Sequence, residues 1–155
     1  MRRALVGVLC LTAFVWFAAA QGKVDVKWHC GKPTADKTVD VGDVAGHTYG
    51  VAQGTCEASG SNIGEKTGQY TEFQEVWKAS FSSRGRFVVT LDGGDKMFYT
   101  YEAKGDPVKK TVLENWKIVG GTGKQKGAKG SGTCTGKLNE DNTSDWECSR
   151  TAQAN

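Results

Sequence analysis

The chain has 155 residues, of which 20 are Lys or Arg and 17 are Asp or Glu, so its formal net charge at pH 7 is +3. Two of the basic residues, Arg2 and Arg3, lie in a predicted N-terminal targeting segment, and without them 18 basic residues remain against 17 acidic ones. No extended basic tract remains, so neither composition nor charge favours binding to nucleic acid or to an anionic membrane surface.

The first twenty residues have the organisation of a signal peptide. A positively charged start precedes a mostly apolar stretch, residues 4–17, and three alanines at 18–20 supply the small side chains of a cleavage site. The apolar stretch is too short to span a membrane comfortably, and polar sequence follows it. We therefore predict a signal peptide at 1–20, a secreted or periplasmic location, and one mature domain at 21–155 that does not span a membrane.

Period-two alternation of apolar and polar residues predicts β-strands along the mature chain, whereas helical periodicity is scarce. In chain order the predicted strands lie at 24–28, 46–58, 71–81, 87–91, 97–102, 112–118, 129–137 and 144–150. Residues 58–68 are predicted to form a mobile loop. Glycine-containing turn sequences at 92–95 and 105–107 separate other strands. Eight closely spaced strands predict an all-β fold, an eight-stranded antiparallel β-barrel, because closure removes exposed sheet edges.

The four cysteines of the predicted mature domain are Cys30, Cys56, Cys134 and Cys148. An even number in an exported chain indicates disulfide bonds. A Trp-x-Cys sequence ends at Cys30 and again at Cys148, and a Gly-Thr-Cys sequence ends at Cys56 and again at Cys134. Pairing one sequence of each kind predicts the disulfides Cys30–Cys56 and Cys134–Cys148. A zinc site is the alternative, but no Cys-x-x-Cys pair exists and the two histidines complete no ligand spacing, so no metal is predicted.

A carboxylate on an otherwise apolar strand face is the feature to look for in a barrel that performs chemistry. Glu75 shares one strand face with Phe73 and Trp77, and Glu114 shares another with Trp116. Inside an apolar cavity such a carboxyl group would have a raised pKa and could act as a general acid or base. Glu75 and Glu114 are therefore the catalytic candidates. In the alternative interpretation the apolar face points outward, or a bulge reverses it.

Aromatic residues at period two either line a pocket or fill a core. The candidates for ligand binding are Phe73, Trp77, Tyr99, Tyr101 and Trp116. His29 and His47 are predicted to lie at the rim or on the surface. The sequence contains no Ser-His-Asp order and no Gly-x-Ser-x-Gly motif, so it offers no support for a serine hydrolase.

Seven of the seventeen residues from Gly120 to Gly136 are glycine. A phosphate-binding loop would need Gly-x-x-x-x-Gly-Lys-Ser/Thr, or Gly-x-Gly-x-x-Gly at the start of a helix, and the run matches neither well. The segment that follows is also a poor helix former, so no nucleotide or other cofactor is predicted. Glycines between two strands instead predict a sharply bent corner of the barrel.

Residues 118–124, followed by 127–132, resemble the Gly-Gly-Thr-Gly-Lys-aromatic and Gly-Ala-x-Gly signature of the allene oxide cyclase and dirigent barrels. The run is most similar to that of small exported bacterial proteins of unassigned function, in which an Asp-x-Gly-Asp-Lys turn often precedes it, as residues 92–96 do here. The resemblance covers roughly residues 85–137 and implies an eight-stranded, calycin-like barrel. Gln125 stands where the plant families usually have an aromatic residue, and the plant cyclases do not share the two disulfides.

Three functional hypotheses follow from these patterns. The first is an exported barrel that binds a small apolar or aromatic molecule in its interior, without hydrolytic chemistry. The second, implied by the resemblance, is a cyclase- or dirigent-like enzyme that guides a reactive intermediate, which requires Glu75 or Glu114 to point into a cavity. The third is a non-catalytic envelope or interaction module, which predicts a packed interior and an exposed apolar patch. A small-molecule ligand is thus the expected partner, and the oligomeric state is left open.

Overall fold

A computed structural model describes residues 25–151, so the predicted signal peptide at 1–20 lies outside the described residues. Within them the chain forms nine β-strands and one short 3-10 helix, Gly123–Gln125. The strands are β1 (Val26–Cys30), β2 (Ala35–Asp40), β3 (His47–Ser59), β4 (Glu65–Trp77), β5 (Ser80–Leu91), β6 (Lys96–Asp106), β7 (Thr111–Gly121), β8 (Gly130–Leu138) and β9 (Ser144–Arg150). No helix in this part of the chain is long and apolar enough to cross a membrane.

The strands close into a barrel in which most of them pair with their neighbours in the chain. From β3 to β9 every strand is antiparallel to the next, and β1 completes the ring by pairing with both β9 and β3. Eight strands therefore form the closed barrel, and the predicted all-β, eight-stranded antiparallel architecture is confirmed. The ninth strand, β2, pairs only with β3. It lies along residues 48–53 of β3, on the same edge of that strand where β1 pairs with residues 56–59. Residues 31–34 separate β1 from β2.

Aromatic rings lie over glycines on the inner face of the barrel, which accounts for much of the glycine content of the strands. A Cβ atom added to such a glycine would collide with the ring on the neighbouring strand, so the ring can lie flat only where no side chain stands. The pairs are Gly54 with Tyr70, Gly68 with Phe87, Gly85 with Tyr101, Gly132 with Trp116, and Gly136 with Trp146. These rings and their buried aliphatic neighbours form the inner wall.

Two disulfides join adjacent strands at positions that lie opposite each other in register. Cys30–Cys56 links β1 to β3, and Cys134–Cys148 links β8 to β9. The pairing predicted from the flanking residues is confirmed. Disulfides of this kind are typical of oxidising, extracellular compartments. Because all four cysteines within residues 25–151 are bonded, none of them is available as a zinc ligand or as a nucleophile.

Strand β2 is not among the predicted strands, and two boundaries also differ from the sequence prediction. The predicted loop at 58–68 is wrong, because β3 continues to Ser59 and β4 begins at Glu65, which leaves a five-residue turn. The predicted strand at 71–81 is wrong as well, because it is two strands. The chain turns back between Trp77, where β4 ends, and the start of β5.

The glycine run lies at one end of the barrel and packs against the turn between β5 and β6. The Thr122 hydroxyl accepts a 2.8 Å hydrogen bond from the backbone N–H of Lys96, and the Asp95 carboxylate accepts a 2.9 Å bond from that of Lys124. Gly123 has a φ of +51°, and a Cβ atom there would overlap the Asp95 carboxylate. The two motifs that carry the family resemblance therefore interact directly with each other.

Candidate ligand cavity

The barrel encloses a cavity of about 560 Å³. Its volume is in the range of pockets that hold drug-sized molecules. Aromatic side chains from six strands line it: Trp28, Tyr70, Phe81, Phe87, Tyr99, Tyr101, Trp116 and Trp146. Several of the rings pack edge to face, with centroids 4.9 Å apart for Trp28 and Phe87 and 5.6 Å apart for Tyr99 and Trp116. The wall is thus apolar and held in place by ring contacts.

One end of the cavity, here called the open end, is lined by exposed residues. Lys32 lies in the connection between β1 and β2, Asn142 in the turn between β8 and β9, and Asp36 in β2. All three belong to the part of the barrel where β1 gives way to β2. A small molecule can therefore approach the interior from this side.

Glu72 is a carboxylate on the inner face of β4, near the open end. It accepts a 2.9 Å hydrogen bond from the Tyr101 hydroxyl and a 2.7 Å bond from the side-chain amide of Gln74. Burial, followed by the charge of Glu72, raises the pKa of Tyr101 well above its usual value. Burial and the charges of Glu72 and Asp36 raise the pKa of Tyr70 to about 12. Both tyrosines therefore stay protonated and can donate hydrogen bonds throughout the physiological range.

Glu114 is the second carboxyl group on the cavity wall, on the inner face of β7 between Val112 and Trp116. It has no hydrogen-bond partner among the described residues. Burial first, and then repulsion from Glu72, raise its pKa from 4.5 to about 8. Near neutral pH Glu114 is therefore mostly protonated. Two carboxyl groups with different environments thus face one apolar cavity.

A third carboxylate, Glu65, lies at the opposite, closed end of the cavity and is fully partnered. It accepts hydrogen bonds from the Tyr99 hydroxyl at 2.8 Å and from the Ser61 hydroxyl at 2.9 Å, and the Arg150 guanidinium lies 3.9 Å away. The same guanidinium lies 5.8 Å from the centre of the Trp116 ring. Because its acceptors and its charge are already matched, we assign Glu65 a structural role in closing this end.

The structure brings only some of the predicted site residues to the cavity. Glu114, Tyr99, Tyr101 and Trp116 line it, as the strand faces predicted. Three others lie on the outer face of β4 and do not line this cavity, so their expected inward orientation is wrong: Glu75, Phe73 and Trp77. Phe73 is 63% exposed and Trp77 is 39% exposed. The physical reason is the register of β4, which turns Tyr70, Glu72 and Gln74 inward and the residues between them outward.

Glu72 and Gln74 are the cavity residues that the sequence interpretation missed. Hydrophobicity predicts the more apolar face of β4 as the inner one, whereas the inner face carries these polar residues with Gly68 and Tyr70. The signal that identifies this face is the glycine, because Gly68 leaves room for the ring of Phe87 from the next strand. In this barrel, glycine and aromatic residues in alternation mark the interior more reliably than hydrophobicity does.

The two histidines lie outside the cavity, and the predicted surface position of His29 agrees with its exposed contact to Asp145 at 2.7 Å. His47 lies on the outer face, but its side chain is buried beneath Trp77, with ring centroids 4.1 Å apart. Its Nδ1 lies 2.7 Å from Asp43 and its Nε2 lies 3.1 Å from Glu75. The carboxylate of Glu75 therefore contacts a histidine on the outer surface instead of a ligand inside.

The chain matches no protein-family model, no curated protein and no solved structure. The resemblance to the allene oxide cyclase and dirigent barrels consequently stays a prediction. The function must be argued from the residues of the cavity.

Proposed function

We propose that this protein is an exported carrier or receptor for a small, largely apolar molecule that it holds inside the barrel. The observation that supports the proposal is the cavity of about 560 Å³, lined by aromatic rings and by a few convergent polar groups. Burying the apolar surface of a ligand against such a wall is favourable by roughly 25 cal/mol per Å². The polar groups at the open end would orient the ligand.

The export part of the proposal is supported by two independent features. The N-terminal sequence has the organisation of a signal peptide. Both disulfides stabilise the barrel, and such bonds persist in oxidising compartments outside the cytosol. A carrier of this size would therefore meet its ligand in the periplasm or outside the cell.

The interaction-module hypothesis receives less support. It expects a packed interior, and the barrel contains a cavity instead. It also expects exposed apolar residues, and the outer face of β2, β3 and β4 does carry them. The exposed ones there are Val39, Tyr49, Val51, Phe73 and Trp77. An interior cavity with built polar contacts favours the carrier over the surface module.

Binding of a neutral apolar dye tests the carrier function directly. N-phenyl-1-naphthylamine fluoresces more strongly in apolar surroundings, so the folded protein should raise its emission with saturable, one-site behaviour. Ser83 lies on the cavity wall and its neighbour Ser82 lies on the opposite face of β5. Ser83→Phe should fill part of the cavity and weaken dye binding about tenfold or more, whereas Ser82→Phe should bind as the wild type does.

The paired variants separate the cavity from the exposed outer surface. Circular dichroism should show that Ser83→Phe and Ser82→Phe both keep the barrel. Equal dye binding by the two folded variants would mean that the dye occupies the outer face, and it would overturn the proposal. Absence of any saturable binding by the wild type would do the same.

A cyclase- or dirigent-like enzyme is the second candidate, and one observation favours it. Glu114, protonated near neutral pH, and Glu72 face the same apolar cavity, an arrangement that can donate and accept protons in turn. A generic reporter of such chemistry is 5-nitrobenzisoxazole. A base removes its ring C–H proton, the N–O bond breaks, and a cyanophenolate forms without any co-reactant.

The enzyme candidate predicts that the protein opens this reporter faster than free acetate does. The rate should rise with pH through about 8 as Glu114 ionises, and Glu114→Gln should remove that rise. A rate equal to that of acetate, or one that Glu114→Gln leaves unchanged, would exclude Glu114 as a catalytic base.

A further inference from the structure

The acidic and basic residues that line the cavity are unevenly distributed between its two ends. At the closed end Arg150 offsets Glu65, and its backbone N–H donates a 2.7 Å hydrogen bond to Asp25. At the open end the lining acids are Glu72, Glu114 and Asp36, and Asp36 is exposed, as is the only lining lysine, Lys32. Within the described residues, the inner part of the open end therefore carries negative charge that no basic side chain of the wall offsets.

The register places two of these acids side by side around the wall. Asp36 of β2 lies opposite Ala52 of β3, which in turn lies opposite Glu72 of β4. The charge of Asp36 raises the pKa of Tyr70, and the charge of Glu72 raises the pKa of both Tyr70 and Glu114. The three acids therefore act on one region of the cavity.

The two glutamates, Glu72 and Glu114, differ in their hydrogen-bond partners. Glu72 has two hydrogen-bond donors, Tyr101 and Gln74, both of them neutral. Glu114 has no hydrogen-bond partner among the described residues, although it lies on the cavity wall. A carboxyl group that faces an apolar cavity without a partner is costly, and repulsion from Glu72 keeps Glu114 protonated near neutral pH unless a positive charge offsets it. A cation between them would supply both the missing donor and the missing charge.

Aromatic rings surround the same region. Tyr101 lies opposite Trp116 in register, and Trp116 follows Glu114 by two residues on β7. Tyr70 precedes Glu72 by two residues on β4. The faces of Trp and Tyr rings attract an ammonium group, and more strongly when water is excluded. Carboxylates beside aromatic rings are thus suited to an organic cation.

We infer that the ligand of this cavity is an aromatic or apolar amine, bound with its ammonium group between Glu72 and Glu114 and its apolar part among the rings toward the closed end. The inference rests on the proposed carrier function and gives that function a ligand class. An uncharged alcohol could bond to either glutamate but would supply no positive charge to offset Glu72 or to favour the ionised form of Glu114. A carboxylate ligand would add a further negative charge.

Three indoles of similar size and different charge test the inference by calorimetry near neutral pH. Tryptamine carries an ammonium group, tryptophol has a hydroxyl group in its place, and indole-3-propionate carries a carboxylate. Tryptamine should bind at least about tenfold more tightly than tryptophol. Indole-3-propionate should bind most weakly of the three.

Glu72→Gln and Glu114→Gln should each lower the affinity for tryptamine about tenfold or more while leaving that for tryptophol within about threefold. Retained tryptophol binding also shows that each variant is folded. The matched control is Glu102→Gln, which removes a charge from the exposed outer face of the neighbouring strand β6. This variant should bind all three indoles as the wild type does.

Each remaining outcome has a definite meaning. Equal or weaker binding of tryptamine than of tryptophol by the wild type overturns the inference and leaves the carrier function standing. The same holds if both variants keep the wild-type preference, or if no indole binds while N-phenyl-1-naphthylamine does. If neither the indoles nor the dye binds, the proposed function itself fails, and the inference fails with it.

Discussion

The Tyr101 hydroxyl donates a 2.9 Å hydrogen bond to Glu72 and reaches across Gly85, which lies between the two residues in register. The bond links β6 to β4 over the intervening strand. It is possible only because Gly85 has no side chain, and it holds one carboxylate of the cavity in place. The glycine of the middle strand is therefore part of the construction of the open end.

Gly85→Ala should destabilise the barrel, because a Cβ atom there would lie 2.6 Å from the Thr71 carbonyl oxygen and 2.6 Å from the Tyr101 hydroxyl oxygen. Overpacking of this kind costs about 1–3 kcal/mol in the free energy of unfolding. Gly93→Ala is the matched control, since no atom lies within 4 Å of the added Cβ. Urea unfolding should show the loss for Gly85→Ala alone. Equal stability of the two variants would contradict the steric account.

Glu114→Gln should change the pH dependence of stability. Because burial and Glu72 raise the pKa of Glu114 from 4.5 to about 8, the protonated carboxyl group favours the folded state. Its contribution is fully present below pH 4.5, the usual value, and is lost as pH rises toward 8. The variant should therefore gain stability relative to the wild type across this window, by on the order of 4 kcal/mol at its upper end.

Denaturant unfolding at several pH values measures this difference, with Glu102→Gln as the control that should show no comparable trend. A stability difference between Glu114→Gln and the wild type that does not change between pH 4.5 and 8 would contradict the pKa assigned to Glu114.

Most of the barrel could be predicted from the sequence, because period-two alternation and turn residues are local signals. The strand carrying Trp116 shows the clearest alternation, and its inner residues are those that the sequence indicates. The disulfides were predictable for a different reason. Cys30 and Cys148 have similar flanking residues, as do Cys56 and Cys134, and the repeated sequences occupy equivalent places in two pairs of strands.

The rest depended on register, which no local pattern of this sequence determines. Every residue of β2 is exposed, so it has no buried face to reveal it. On β4 both faces carry large side chains, and a one-residue shift exchanges Glu72 for Glu75. The choice between them is made by neighbouring strands, through the ring of Phe87 that fits over Gly68. Sequence patterns thus predicted a carboxylate on this strand and identified the wrong one.

His47, on the outer face of the barrel, makes a pH-dependent contact that can be tested. Burial disfavours the charged form of His47, but its hydrogen bonds to Asp43 and Glu75 outweigh this and raise its pKa above 6.5. Its contribution to stability is therefore complete below pH 6.5 and is lost as pH rises through the folded-state pKa. NMR titration of the imidazole should show the raised pKa. Asp43→Asn should lower it.

His29 is the internal reference for this titration. Its pKa is also raised, mainly by the hydrogen bond to Asp145, and it lies on β1, whereas Asp43 lies in the connection between β2 and β3. Asp43→Asn should therefore leave the titration of His29 unchanged. If both histidines shifted together, or if neither did, the assignment of Asp43 as the partner of His47 would be wrong.

The two disulfides should differ in what they hold together. Cys30–Cys56 joins β1 to β3 where only four residue pairs connect the strands, whereas Cys134–Cys148 joins β8 to β9 within a register of seven pairs. Replacing either pair with alanines should cost about 2–4 kcal/mol in unfolding free energy.

Hydrogen exchange should then distinguish the two disulfide variants. Loss of Cys30–Cys56 should expose the amides of β1 first, because few other bonds close the barrel at this edge. Loss of Cys134–Cys148 should leave the amides of β8 and β9 as protected from exchange as the global stability of that variant allows. Equal local protection of β1 in the two variants would mean that strand pairing alone closes the barrel.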